Sequence, residues 1–313
     1  MKFTLGDERI EFASTVRRAL ADGCSPTVVR AAWDGTLDRD VWATLVDMGT
    51  TDPDLDFVTR VAVAEEIGRA ALPHPWVETA FVAAPVVGPE IGSDLVSTDL
   101  GTPGHVPGGA VVDRILLADR PGLRLVAPAD LSLTPVDTVD RSRLLQAVDR
   151  TASPTGAAVD APHGAADPWL AGVLGTAAVL IGLGQHLLDA TVDYVGQRHQ
   201  FGQPVGGFQA VKHHLADAAK DLTFARPIVA RAAYGLDTAP GDIATARDVS
   251  MAKALAGDAA TRTAEAALQC HGAIGYTVEH DLHLWLKRVW ALARAWGDAD
   301  HHRGTVGDLL DLG

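Results

Sequence analysis

The sequence predicts a mainly α-helical protein with a small β segment in its middle, and three observations predict it. Apolar residues recur at helical spacing over long stretches at both ends. Between residues 91 and 160 the period shortens, and Pro, Gly, Thr and Val become frequent. Aromatic residues make up only 5% of the chain while Ala and Gly abound, which favours closely packed helices over an aromatic-rich β core. A chain of 313 residues is long enough for two or three compact units. The pattern divides it into an N-terminal helical domain (1–90), a small β domain (91–165) and a C-terminal helical bundle (166–313).

In the first region, Asp7–Ala21 places Ile10, Phe12, Val16 and Leu20 near helical spacing, and Gly23 marks a stop. Leu37–Met48 sets Val41, Trp42 and Leu45 on one face. Asp52-Pro53 reads as the cap and first turn of a helix ending near Ala71. Glu65 and Glu66 on it read as a solvated face paired with Arg69. Pro73 and Pro75 break that helix, and Trp76–Val87 makes another. In the second region Ala110–Leu117, Leu123–Ala127 and Leu144–Val148 read as short strands.

The third region reads as four long antiparallel helices: Ala166–Gln197, Val205 to about Leu236, Asp242 to about Gln269, and Val278–Ala295. The first would run about 48 Å. Its glycines, Gly172, Gly175, Gly182 and Gly184, cost about 1 kcal/mol each against Ala, and close approach of other helices is the expected offset. Val173–Leu183 carries no charge, but its Gly and Ala content fits a buried bundle helix better than a membrane span.

Composition excludes several classes. A formal charge of −14 argues against nucleic acid as a partner. Two cysteines, Cys24 and Cys270, make no disulfide framework, and the N-terminal segment has no apolar signal region, so the chain reads as cytoplasmic. The adjacent pairs His213-His214 and His301-His302 point about 100° apart on a helix, so they are poor chelators. His280, Asp281 and His283 are thin evidence for a metal, and none is expected. No phosphate loop, dinucleotide fingerprint or nucleophile elbow is present.

One stretch concentrates the chemistry: Arg198-His199-Gln200-Phe201-Gly202-Gln203-Pro204, with Gly207-Phe208-Gln209 after it. It lies between two long helices. Arg offers a planar fork of donors suited to a phosphate. The start of the next helix offers free N–H groups and partial positive charge. The elbow therefore suits the diphosphate of a nucleotide cofactor; an Arg tying down an interhelical loop is the alternative.

The segments YVGQRHQFGQPVGGFQAVKHHLADAAKDL and LQCHGAIGYTVEHDLHLWLKRV resemble the C-terminal signature of the acyl-CoA dehydrogenase family. The resemblance covers 166–313 and, less fully, 1–85. It implies an acyl-CoA dehydrogenase-like fold whose β domain is reduced here, because the family's Thr-Glu-Pro-x-x-Gly-Ser-Asp and Trp-x-Thr/Ser stretches find no match. It also implies FAD, contacted across a subunit boundary. Arg198 would hold the diphosphate, with Gln200 and Phe201 flanking it. Phe208 and Gln209 would face the adenosine half, and Gln269, Gly272 and Gly275 would form the second loop. Ala273 stands where the family's pair has its second Gly.

Flavin-linked α,β-dehydrogenation needs a carboxylate to take the α-proton. The family places it at one of two positions, matched here by Trp296 and Gly172. The Arg that commonly assists CoA matches Val173. The resemblance therefore implies no catalytic residue in this chain. It implies the smaller subunit of a heteromeric (α2β2) enzyme, similar to actinobacterial ones acting on steroid side chains. A second, full-length acyl-CoA dehydrogenase subunit would supply the base and most of the acyl-CoA site. The alternatives are a non-catalytic homo-oligomeric scaffold, or a complete enzyme with a relocated base such as Glu78 or Asp298.

Overall fold

A computed structural model describes residues 6–119, 122–151, 156–160 and 165–311. The chain opens with four helices, α1 (Asp7–Gly23), α2 (Pro26–Trp33), α3 (Arg39–Asp47) and α4 (Phe57–Arg69). A π-helical segment, Glu78–Ala83, runs on into α5 (Ala84–Val87). The middle holds β1 (Val96–Thr98), β2 (His105–Val106), β3 (Arg114–Asp119), β4 (Gly122–Val126), β5 (Leu133–Pro135), β6 (Gln146–Val148) and β7 (Ala157–Val159). They form one sheet of order β1-β3-β4-β7 and a second of order β2-β6-β5. In the first, β1 runs parallel to β3 (Ser97 opposite Ile115), and the other pairs are antiparallel.

The C-terminal part consists of α6 (Pro168–Gln197), a hairpin of β8 (His199–Gln200) and β9 (Gln203–Pro204), α7 (Gln209–Thr238), α8 (Ile243–His271), α9 (Leu282–Arg294) and α10 (Ala299–Asp311). α6 is long and apolar enough to cross a membrane, yet 83% of its most apolar window is buried in the protein, as in a core helix.

The glycines of α6 show why it sits at the centre. A Cβ on Gly182 would overlap the Glu65 carbonyl of α4, and one on Gly68 would overlap the Val179 carbonyl in return. At Gly175 a Cβ would come within 2.8 Å of the Phe81 ring, and at Gly184 within 2.7 Å of Leu222. Each glycine thus admits a different neighbour, and close packing offsets its poor helix propensity. Arg288 of α9 ties the three regions together. It is buried, ion-paired to buried Asp140, and donates to the Leu72 carbonyl and Ser142 Oγ at 2.7 Å each.

The mainly helical architecture is the one expected, with corrections of detail. The helix expected from Asp52 starts at Phe57. Asp56 caps it, accepting from the Thr59 N–H at 2.7 Å, and Asp237 of α7 accepts from the Phe57 and Val58 N–H groups. Glu65 and Glu66 are not a solvated face. Glu66 is buried and takes a two-pronged bond from Arg17 of α1 at 2.6 and 2.7 Å. Glu65 accepts from Arg226 of α7 at 2.9 Å. The Trp76–Val87 helix is half π-helical. Among its described residues the middle segment carries seven short strands rather than three, and the four-helix bundle gains α10.

Candidate functional site

The structure places the candidate residues at one end of the bundle. The last turn of α6 carries Tyr194, Arg198 follows as the extended residue that ends the helix, and the chain then reverses through the β8–β9 hairpin, closed by the Val205 N–H on the Arg198 carbonyl at 2.7 Å. The turn is Phe201-Gly202, with φ of 52° and 82°. A two-residue hairpin with positive φ at both positions normally has Asn or Asp before Gly. A bulky ring there is strained. The Phe201 ring is 93% exposed and meets Phe208 edge-on at 6.3 Å. Phe208 and Gln209 sit where α7 begins, and no side chain caps that helix. Its first N–H groups are thus free of a side-chain acceptor.

Tyr194 connects this elbow to the second loop. Its ring stacks on His271 at 4.2 Å with a 13° tilt, and its hydroxyl lies 3.4 Å from the His271 carbonyl. Arg198 donates to that hydroxyl, and its guanidinium lies 5.7 Å over the tyrosine ring. Gln269 is exposed in the last turn of α8. Gly272 ends the helix with φ 64°, and Gly275 is buried where a Cβ would press on His271. Both glycines thus also serve the local fold. His271 is buried, and its Nδ1 donates to the Ala267 carbonyl at 2.8 Å. That leaves Nε2 as an acceptor, buried without a partner. Burial holds this imidazole below its usual pKa. Tyr194 and His271 were missed by motif reasoning; the i, i+4 spacing of Tyr194 and Arg198 is the signal that could have found the first.

The two family base positions meet at a second locus. Trp296 is buried (1%) and left-handed, with φ 59°. A Cβ on Gly172 would fall within 2.6 Å of three atoms of its ring, and one on Gly101 within 2.8 Å of three more. The indole therefore lies between α6 and the loop after β1. The Trp296 backbone N–H donates to the Gly101 carbonyl at 2.8 Å, and the Trp296 carbonyl accepts from His302 Nε2 at 2.8 Å. Beneath it, Lys253 of α8 donates to the Ala293 and Gly297 carbonyls, and burial pulls its ammonium down to about 7. Val173 is fully buried.

The two carboxylates offered as relocated bases have other surroundings. Asp298 is exposed and accepts from the His301 N–H at 2.9 Å in the first turn of α10, a bond that lowers its pKa. Glu78 is buried, held above the usual carboxylate range by desolvation, with Arg143 opposing. It faces a cavity of about 40 Å³ shared with Arg143 and Thr176. A cleft of about 880 Å³ between the start of α4 and the α7–α8 turn contains neither locus, and its charges pair internally, as in Arg9–Asp56 and Arg231–Asp248. Among the described residues no group of three His, Cys, Asp or Glu is placed to hold a metal ion.

This fold and these two loci define an acyl-CoA dehydrogenase-type scaffold, and comparison with known proteins agrees. The acyl-CoA dehydrogenase C-terminal domain profile matches residues 172–310. The acyl-CoA dehydrogenase IpdE2 of Mycobacterium tuberculosis is 31% identical over 318 residues, covering 92% of each chain. The fold is shared with the ChsE4–ChsE5 complex of M. tuberculosis (TM-score 0.85, 23% identity, all of both chains) and with the steroid ACAD Tcur3481–Tcur3483 (0.86, 22%, 99% of both). The chain belongs to the acyl-CoA dehydrogenase family.

Proposed function

We propose that the chain is the non-catalytic subunit of a heteromeric FAD-dependent acyl-CoA dehydrogenase of the cytoplasm. The observation that carries this reading is that one indole, Trp296, occupies the space at Gly172, so neither family base position presents a carboxylate. Glu78 looks into a cavity that holds one or two waters, too small for an acyl chain. Asp298 is engaged as a helix cap.

The elbow fits the cofactor's diphosphate. Arg198 supplies a charged fork, α7 an uncapped N-terminus, and Gln200, Gln209 and Gln269 exposed amides. When bound, FAD would supply the two-electron acceptor for α,β-dehydrogenation of a CoA thioester. In this reading Arg198 orients the cofactor's phosphates, Tyr194 holds Arg198, and Phe201 and Phe208 cover the cofactor's flank. A full-length partner subunit contributes the proton acceptor and the acyl-CoA site. The steroid ACAD and the two-protein complex sharing this fold support a heteromer, and a steroid-derived acyl group as its substrate.

The test is co-expression with the acyl-CoA dehydrogenase-like product of a neighbouring gene, followed by flavin counting. Fewer flavins than chains, none of them retained by this chain alone, is the expected result. Stoichiometric FAD and acyl-CoA oxidation by the isolated chain would overturn the reading. A flavin-free homo-oligomer with any partner would favour a scaffold instead.

A further inference from the structure

The cavity of about 40 Å³ at Glu78 is walled by all three regions of the chain. Glu78 opens the π-helical segment, Arg143 ends the turn before β6, and Thr176 belongs to α6. Glu78 is 7% exposed and Arg143 is partly buried, and their opposite charges act on each other. Yet among the described residues no direct ion pair joins them. The neighbouring Arg288 cannot serve instead, because its guanidinium is spent on Asp140, the Leu72 carbonyl and Ser142. On the same wall His74 donates from Nε2 to the Asp38 carbonyl at 2.9 Å, and its buried Nδ1 has no partner. Two opposite charges taken out of water are costly unless their hydrogen-bonding capacity is met. Whatever meets it between Glu78 and Arg143 has to donate to a carboxylate and accept from a guanidinium. A halide has no proton to donate and is repelled by Glu78. A metal ion is repelled by Arg143. An acyl chain exceeds the space and offers neither bond. Water does both, and a cavity of this size takes one or two molecules.

We propose that this cavity is a binding site for one or two water molecules, which bridge Glu78 of the first region to Arg143 of the middle region, with the Thr176 hydroxyl of α6 completing their shell. The water is a structural ligand of the chain. A bridge of this kind is nearly as favourable as a direct bond, so it carries the electrostatic link that a salt bridge would otherwise make. It stands beside the direct Arg288–Asp140 pair, so the three regions are joined at this level once by contact and once through solvent. The site depends on neither flavin nor partner.

The test uses the full-length isolated chain. Oxygen-17 magnetic relaxation dispersion counts the water molecules that a protein holds for long times. Glu78→Leu removes the acceptor and fills the space, so its count should fall below the wild type's by about one or two. Water held elsewhere cancels in the difference. Glu78→Gln keeps the shape and an acceptor, and should keep the count. Glu78→Leu leaves Arg143 uncompensated; if it does not fold, Glu78→Leu combined with Arg143→Met removes both charges and should show the same loss. A crystal structure of the wild type should show the water within hydrogen-bond distance of both the Glu78 carboxylate and the Arg143 guanidinium. Equal counts in wild type and the leucine variant overturn the proposal. So does a crystal structure in which the two side chains touch directly, or in which a halide lies between them.

Discussion

Among the described residues two aromatics hold left-handed backbone conformations, Phe201 at the elbow and Trp296 against α6. They resemble one another in strain and differ in everything around them. Trp296 is 1% exposed, walled by glycines, with its N–H and carbonyl both bonded within the chain. Phe201 is 93% exposed, and its neighbourhood leaves an uncapped helix start and the orphaned His271 Nε2. Strain persists where surrounding interactions outweigh it. At Trp296 those interactions are internal. At Phe201 the hairpin bonds are internal but the exposed ring meets only Phe208, and on the proposed reading a partner surface covers it. One end is closed from within, and on the proposed reading the other is completed from outside.

The sharpest way to break this contrast is to obstruct the closed end. Gly172→Val places methyl groups inside the Trp296 ring and should cost about 3 kcal/mol or more in denaturant unfolding. Trp296→Gly should relieve that loss, so the double variant is more stable than Gly172→Val alone. Independent, additive losses would mean that the two residues do not share a space.

Acid should also strike the interior first. Burial holds His302, His74 and His186 at about 4, below the ordinary 6.5. The unfolded chain therefore takes up protons between pH 6.5 and 4 that the folded chain refuses. Stability should fall as pH drops through that window, by up to about 1.4 kcal/mol per pH unit for each histidine, and be flat with respect to them above it. Denaturant titrations at pH 7 and pH 5 test this, and His302→Gln should flatten the slope by one proton.

The same contrast explains what the sequence made legible. The elbow is contiguous, so its Arg, Phe, Gly and Gln could be read as a unit, and the long helices announce themselves by period and by the glycines of α6. The closed end joins Gly101, Gly172 and Trp296, and nothing local pairs residues so far apart. α2 is 8 residues long, too short for a periodic signal, and α10 is polar and contains Gly304 and Gly307. The π-helical segment has no pattern that separates it from an α-helix. Glu65 and Glu66 looked solvated because their partners, Arg226 and Arg17, lie on other helices. Local signals set the frame, and tertiary contacts decide the filling.

At the open end effects should be smaller and should appear in the complex. If Arg198 holds the cofactor's phosphate as proposed, Arg198→Ala removes a charge-assisted bond of about 1.5–3 kcal/mol and should weaken FAD retention by about ten-fold or more. The chain's own unfolding should barely change, since Arg198 is exposed. Flavin release from the heteromer, measured against urea unfolding of the isolated chain, separates the two. Destabilisation of the isolated chain with no effect on flavin would make Arg198 a mere loop tie.

Phe201→Asn sharpens the comparison most, though its effect is the smallest. Asn accepts a left-handed backbone, and Asn-Gly is the preferred sequence for this hairpin turn. The substitution also withdraws an exposed ring from water. The isolated chain should therefore gain about 1 kcal/mol or less. Phe201 contributes its ring only when another surface covers it, so the heteromer should dissociate more readily or hold flavin less well. Opposite signs in chain and complex are the signature of a residue kept for an outside contact. A gain in both would show that the strain at Phe201 serves no partner, and the likeness between the two aromatics would end at their backbones.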